Sequence, residues 1–214
     1  MLQSDENCVE TKLDEFAVRR AKLRDEFQTH QLASLFLVHA GDDYAAARCL
    51  IMNGLSAGFP MGGQALEKIM KALLLFKISA SDAKRERKHR LETIFDQLIE
   101  HYPLTSKSLR KICLNFTKHY RHRYPNEQDA SKSMSGAEIR DLDAAFFSFL
   151  EALPVSLEFK MRHATFVAML DIKKSVLGNK QRYMTVDNFD FNAVRQNWVK
   201  DFGDVYSNLY PEQN

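Results

Sequence analysis

Between His101 and Asn126 the sequence has no carboxylate, yet it carries Lys107, Arg110, Lys111, Lys118, His119, Arg121, His122 and Arg123. Cationic donors gathered in this way are the electrostatic footprint of a phosphate-bearing ligand. From residue 84 to 126 eleven Lys/Arg oppose four acids, a balance of +7, which leaves −5 of the chain's net +2 for the remainder. The distribution of charge, and not its total, therefore points to a phosphate-bearing ligand. Lys68 and Lys71, one helical turn apart beside an apolar stripe, can reach a phosphate, as can Arg90, Arg110, Lys111, Lys118, Arg121 and Arg123. His89 can touch a base, and Tyr120 and Tyr124, set among arginines, suit stacking on an unpaired base. The competing reading is a solvated basic face, or one that docks the chain's own acidic half. In that reading the lysine stems cover apolar surface, Tyr120 continues a core stripe, and Arg123 caps a helix end or pairs with Glu67.

Other chemistries find little support. His119 and His122 have a spacing used by some metal sites, but no Cys or carboxylate stands near them in sequence, and no metal or cofactor is expected. There is no Gly-x-Ser-x-Gly elbow and no P-loop, and Gly58 to Gly63 is too broken to cradle phosphate. Cys8, Cys49 and Cys113 are far apart and odd in number, which reads as reduced thiols, with Cys49 and Cys113 as small core residues. No apolar run of about 18 residues exists, so no membrane span is expected. The acidic, polar start of the chain lacks the apolar stretch of a signal peptide, so a cytoplasmic location is expected.

The elements that must position these residues are helices. Eight Gly and five Pro in 214 residues allow few tight turns and hence few, long elements. A first segment, Asp5 to His39, predicts one or two helices with a seam of Leu13, Phe16, Leu23 and Phe27. Asp42 and Asp43 offer caps for a helix over 43–58, with Tyr44, Ala47, Ile51 and Leu55 inward. Gly58, Pro60, Gly62 and Gly63 then predict a turn. The third helix, Gln64 to Lys77, has the stripe Leu66, Ile69, Met70, Leu73 and Leu74, with Glu67, Lys68 and Lys71 outside it and Glu67 spaced to pair with Lys71. After a polar loop, a fourth helix shows Leu91, Ile94, Phe95, Leu98, Ile99 and Tyr102 and stops before Pro103. A fifth, from Thr105 to His119, carries Leu109, Ile112, Cys113 and Phe116, and residues 125–136 form a polar linker. A sixth, Ser135 to Leu153, faces inward with Ile139, Leu142, Phe146, Phe149, Leu150 and Leu153. Two more are expected at Ser156 to Leu177 and at Asn192 to Leu209, the last carrying Trp198. The chain is therefore expected to be an all-α, antiparallel helical bundle.

Three signatures follow in order: Gln64-Ala65-Leu66-Glu67-Lys68-Ile69-Met70-Lys71-Ala72-Leu73-Leu74, then His89-Arg90-Leu91, then Tyr120-Arg121-His122-Arg123-Tyr124-Pro125. Their order and helical setting resemble the HEPN domain family. The resemblance covers residues 42–153, leaving an N-terminal helical extension (1–41) and a C-terminal helical extension (154–214). It implies a four- or five-helix bundle, commonly dimeric, that binds nucleotides or RNA or serves as a partner module, in some members beside a nucleotidyltransferase or in defence and toxin–antitoxin systems. Several members are metal-independent ribonucleases with an Arg, four to six residues, then a His. In the matched region no Arg has a His at that spacing; Arg24 and His30 have it, but lie ahead of that region. The expectation is a non-catalytic, dimeric binding protein. The alternatives are a ribonuclease drawing on His119, His122 and Arg123, or a pure protein-interaction module.

Overall fold

The computed structural model of the 214-residue chain describes residues 3–78, 90–104, 107–121, 136–153 and 187–193. Every regular element among them is helical, and none is a strand. The elements are α1 (Gln3–Met52), α2 (Gly58–Leu75), α3 (Leu91–Leu98), α4 (Lys107–Arg121) and α5 (Gly136–Glu151), with a helical turn at 189–193. The all-α bundle is thus as the apolar stripes demand.

α1 runs without a break through residues 42 and 43, where a new helix start was expected. Asp42 stays exposed in mid-helix, whereas Asp43 is buried and reaches across to α2. Acidic residues favour helix starts only where backbone N–H groups lack partners, and in mid-helix those donors are already used. The boundary between residues 41 and 42 therefore falls inside one continuous helix.

α1 ends six residues earlier than expected. Gly54 adopts φ +75°, its N–H donates to the Ile51 carbonyl (2.9 Å), and the Leu55 N–H donates to the Leu50 carbonyl (2.9 Å). This is a Schellman stop, in which glycine takes the left-handed position at no steric cost. Tyr44, Ala47 and Ile51 are buried as expected, but Leu55 lies past the stop and is exposed.

The glycines at 58, 62 and 63 make no turn, because α2 begins at Gly58 and absorbs them. Pro60 sits in the first turn, where its missing N–H costs no hydrogen bond. The glycines serve packing. A Cβ on Gly58 would lie 2.8 Å from the Ala47 carbonyl oxygen, and one on Gly62 would lie 2.7 Å from Phe116 Cε1. The missing side chains let α1 and α4 approach the start of α2.

α1 and α2 form an antiparallel hairpin, as the pairings Ile51 with Gly58, Asp43 with Lys68, and His30 with Phe76 show in turn. α3 and α4 form a second hairpin, tied by Asp96 with Arg110 and by Glu92 with Thr117. α5 closes the core. Leu142 meets α2 at Gly62, Phe149 meets Phe95 of α3 with ring centroids 6.2 Å apart, and Phe146 stacks on Tyr44 of α1 at 4.2 Å. Leu66, Ile69, Met70 and Leu73 of α2 are fully buried at the centre. Each such side chain contributes roughly 1.5–3 kcal/mol of burial. Ile99, counted with the α3 stripe, is exposed, because α3 ends at Leu98 and the chain turns. Tyr102 still buries, and its hydroxyl donates to the Leu73 carbonyl (3.0 Å).

The 18 residues of α2 span about 27 Å and the 50 residues of α1 about 75 Å, at roughly 1.5 Å per residue. The N-terminal half of α1 consequently projects past α2, and Val18 and Phe27 are exposed there. The helices expected at 156–177 and over most of 192–209, the polar loop and the linker lie outside the described residues.

Candidate phosphate-binding face on α4

α4 has two chemically distinct faces. Leu109, Ile112, Cys113, Phe116 and Thr117 are buried, whereas Lys107, Arg110, Lys111 and Lys118 are exposed. Lys107, Lys111 and Lys118 recur at offsets of four and seven, so they fall on one line of a 3.6-residue helix. The helix contains no acid, so nothing on α4 itself neutralises that line. His119, Tyr120 and Arg121 complete its last turn, and their side chains lie outside the described residues.

Neighbouring helices supply the acids. Arg110 donates from Nε and Nη2 to the two carboxylate oxygens of Asp96 on α3, at 2.8 and 2.9 Å. Hydrogen bonds from Arg110 hold the Asp96 carboxyl below the usual carboxylate range, and Asp96 in turn raises the Arg110 guanidinium. Both side chains are about half exposed, so solvent screens the pair. Lys111 lies near Asp141 of α5, whose carboxyl is nonetheless raised, chiefly by burial and then by Glu138. Glu92 accepts the Thr117 hydroxyl proton (2.6 Å), while the Thr117 oxygen accepts the Leu91 N–H (3.2 Å). That link caps the start of α3 with a side chain of α4, in the role a local Ser or Thr usually takes.

The described part of α3 is therefore acidic on the side that meets α4: two of the four acids counted against the basic 84–126 hairpin, Glu92 and Asp96, face its cationic helix. Its cationic contribution is Arg90, exposed in an extended conformation just ahead of the helix. Lys68 and Lys71 sit elsewhere, on α2. Lys68 Nζ contacts Asp43 Oδ2 at 2.5 Å, and Lys71 Nζ contacts Glu67 Oε1 at 2.6 Å, the expected one-turn pair. Glu67 is itself buried, though its spacing put it outside the stripe. Both ammonium groups are thus engaged by acids of their own bundle. His89, His122, Arg123 and Tyr124 lie outside the described residues, as does any Arg123–Glu67 pairing.

The remaining candidates are simply located. Arg24 and His30 are exposed on α1, six residues and therefore about 120° apart around the helix, and the His30 ring lies 6.2 Å from that of Phe76. Cys113 is a core residue whose thiol burial pushes up to about 12, and Cys49 is half-buried. No group of three or more His, Cys, Asp or Glu suited to a metal occurs among the described residues. No described helix is long and apolar enough to cross a membrane.

The sequence reading missed a buried polar cluster. Arg48 of α1 is fully buried and pairs with Asp143 of α5, itself 2% exposed. The Tyr44 hydroxyl donates to Asp143 Oδ1 (2.6 Å), and Asn188 Nδ2 donates to the Tyr44 oxygen (2.8 Å). Burial raises the Asp143 carboxyl while Arg48 opposes that shift, and burial raises the Tyr44 hydroxyl far above its ordinary value. The available signal was Arg48 directly after Ala45-Ala46-Ala47 and one turn beyond Tyr44, a charge set on a core-facing line. No family model, no curated protein and no solved structure matches this chain.

Proposed function

We propose that this chain is a HEPN-like helical protein that binds RNA or a nucleotide through its phosphates, using the exposed line of α4. In this reading it acts as a cytoplasmic homodimer and has no catalysis of its own. The observation that carries the reading is the conjunction of Lys107, Lys111 and Lys118 on one exposed face of a helix that has no acid. Arg110 adds to it only in part, because Asp96 competes for its guanidinium. Arg90 lies ahead of the helix that pairs with α4, and Arg121 continues α4 at its end.

Fluorescence anisotropy with labelled single-stranded RNA at several salt concentrations tests this. Affinity is expected to fall with salt by about 0.7 log units per log unit of salt for each phosphate neutralised. Absence of binding at low salt, or binding indifferent to salt, removes the proposal.

A second reading, a protein-interaction module, draws on the projecting half of α1. Among the described residues of that half, Val18 (69%) and Phe27 (63%) are large apolar side chains left exposed. Loss of an associated protein on Phe27→Ser, with RNA affinity unchanged, would favour it.

A further inference from the structure

The segment 187–193 is held on the bundle by a chain of hydrogen bonds in which every donor and acceptor is assigned by the one before it. Asp143 accepts from Arg48 and from the Tyr44 hydroxyl. Having given its only hydrogen to Asp143, Tyr44 offers Asn188 an acceptor and nothing else. Asn188 therefore turns its Nδ2 to Tyr44 (2.8 Å) and its Oδ1 to the Phe191 N–H (3.0 Å). That second bond caps the helical turn at 189–193. Phe191, 1% exposed, follows the cap into the core, with its ring centroid 6.0 Å from that of Phe147.

Two features set this segment apart from an ordinary piece of core. Asp187 enters it with φ +54°, a left-handed conformation that favours Gly, Asn and Asp. Asp190, exposed on the same turn, adds a like charge that raises the Asp143 carboxyl, though less than burial does. Asn188 and Phe191 hold the segment down, while Phe189 (77%) and Asp190 point to solvent.

We infer that 187–193 is a detachable strap across α1 and α5, seated by Tyr44, whose hydrogen is committed to the Arg48-paired Asp143 so that its oxygen is left to accept from Asn188. Tyr44 is thus a positioning residue. The ion pair gives the strap its specificity for asparagine, because a carboxylate at 188 would cap the turn equally well but has no hydrogen to donate.

Hydrogen exchange read by mass spectrometry on the full-length protein separates this from a strap held by its local cap alone. Asn188→Asp keeps the capping oxygen and removes the donor. Tyr44→Phe keeps the ring on Phe146 and removes the acceptor. Both are expected to lose protection of the amides of 189–193 while those of 37–51 stay as slow as in the parent. Retained protection of 189–193 in Asn188→Asp overturns the proposal. So does loss of both regions together in Tyr44→Phe, because the segment would then be an inseparable part of the core.

Discussion

The guanidinium of Arg48 and the carboxylate of Asp143, 95 residues apart in sequence, form an ion pair from which solvent is almost wholly excluded. Removing water from two charges costs several kcal/mol each, and only their mutual attraction and added hydrogen bonds offset it. Tyr44 supplies one such bond. Arg48→Met is therefore expected to destabilise the protein by about 3–5 kcal/mol, since it leaves the buried Asp143 without its counter-charge. Arg48→Met with Asp143→Leu should recover most of that loss. Urea unfolding of the two variants measures both quantities, and equal losses would mean that the pair contributes nothing specific.

Gly62 is expected to tolerate no side chain. Its Cβ would meet Phe116 and, at 3.2 Å, Leu142, both buried in the core. Gly62→Ala should cost about 1–3 kcal/mol, the usual effect of overpacking. Adding Phe116→Leu should return part of it, because the clash is with the ring. A thermal melt of the single and double variants checks this, and a neutral Gly62→Ala would show that the helices can part.

The charge balance on α4 predicts opposite effects from neighbouring substitutions. Lys111→Glu and Lys118→Glu should weaken RNA binding and flatten its salt dependence by about 0.7 log units for each phosphate no longer neutralised. Asp96→Asn frees Arg110 and should strengthen binding at low salt. Its pair with Arg110 is solvent-exposed, so little stability is at stake at neutral pH. The folded state holds the Asp96 carboxyl below its ordinary value, so whatever stability the pair gives is present above that value and is lost as pH falls through the lowered one. Anisotropy titrations of the three variants decide the matter; identical slopes would remove α4 from the interface.

Tyr102 should shape the alkaline limb of the stability curve. Burial pushes its hydroxyl from an ordinary 10.0 up to about 12. Between those values the folded state keeps a proton that the unfolded chain has lost, so stability falls as pH rises through that window. Tyr102→Phe should flatten this fall and cost about 1 kcal/mol near neutrality through the lost bond to the Leu73 carbonyl. Denaturant midpoints of the parent and variant from pH 8 upward test it, and parallel curves would contradict it.

The helices and their inward faces were legible from spacing alone. Leu66, Ile69, Met70 and Leu73, and Leu109, Ile112, Cys113 and Phe116, repeat at helical period and are all buried. The Glu67–Lys71 pair was legible for the same reason, since both partners lie on one helix a turn apart. The exposed lysine line of α4 likewise follows from position within a single element. The reading failed where a residue's role depends on a second element. Gly58 and Gly62 look like turn residues until α1 and α4 are laid against them, and Asp43 looks like a cap until Lys68 arrives from 25 residues away.

By itself the sequence determined that this chain makes few, long helices, which of their faces turn inward, and that α4 carries cations without acids. Periodicity and local charge need nothing beyond one helix to be read. Tertiary structure alone decided which cations remain available and which charges are buried. Asp43 takes Lys68, Asp96 takes Arg110, and Arg48, Asp143, Tyr44 and Asn188 meet in the core. These pairings depend on the crossing and register of different helices, which arise from the packing of whole faces and leave no mark in the spacing of any one segment.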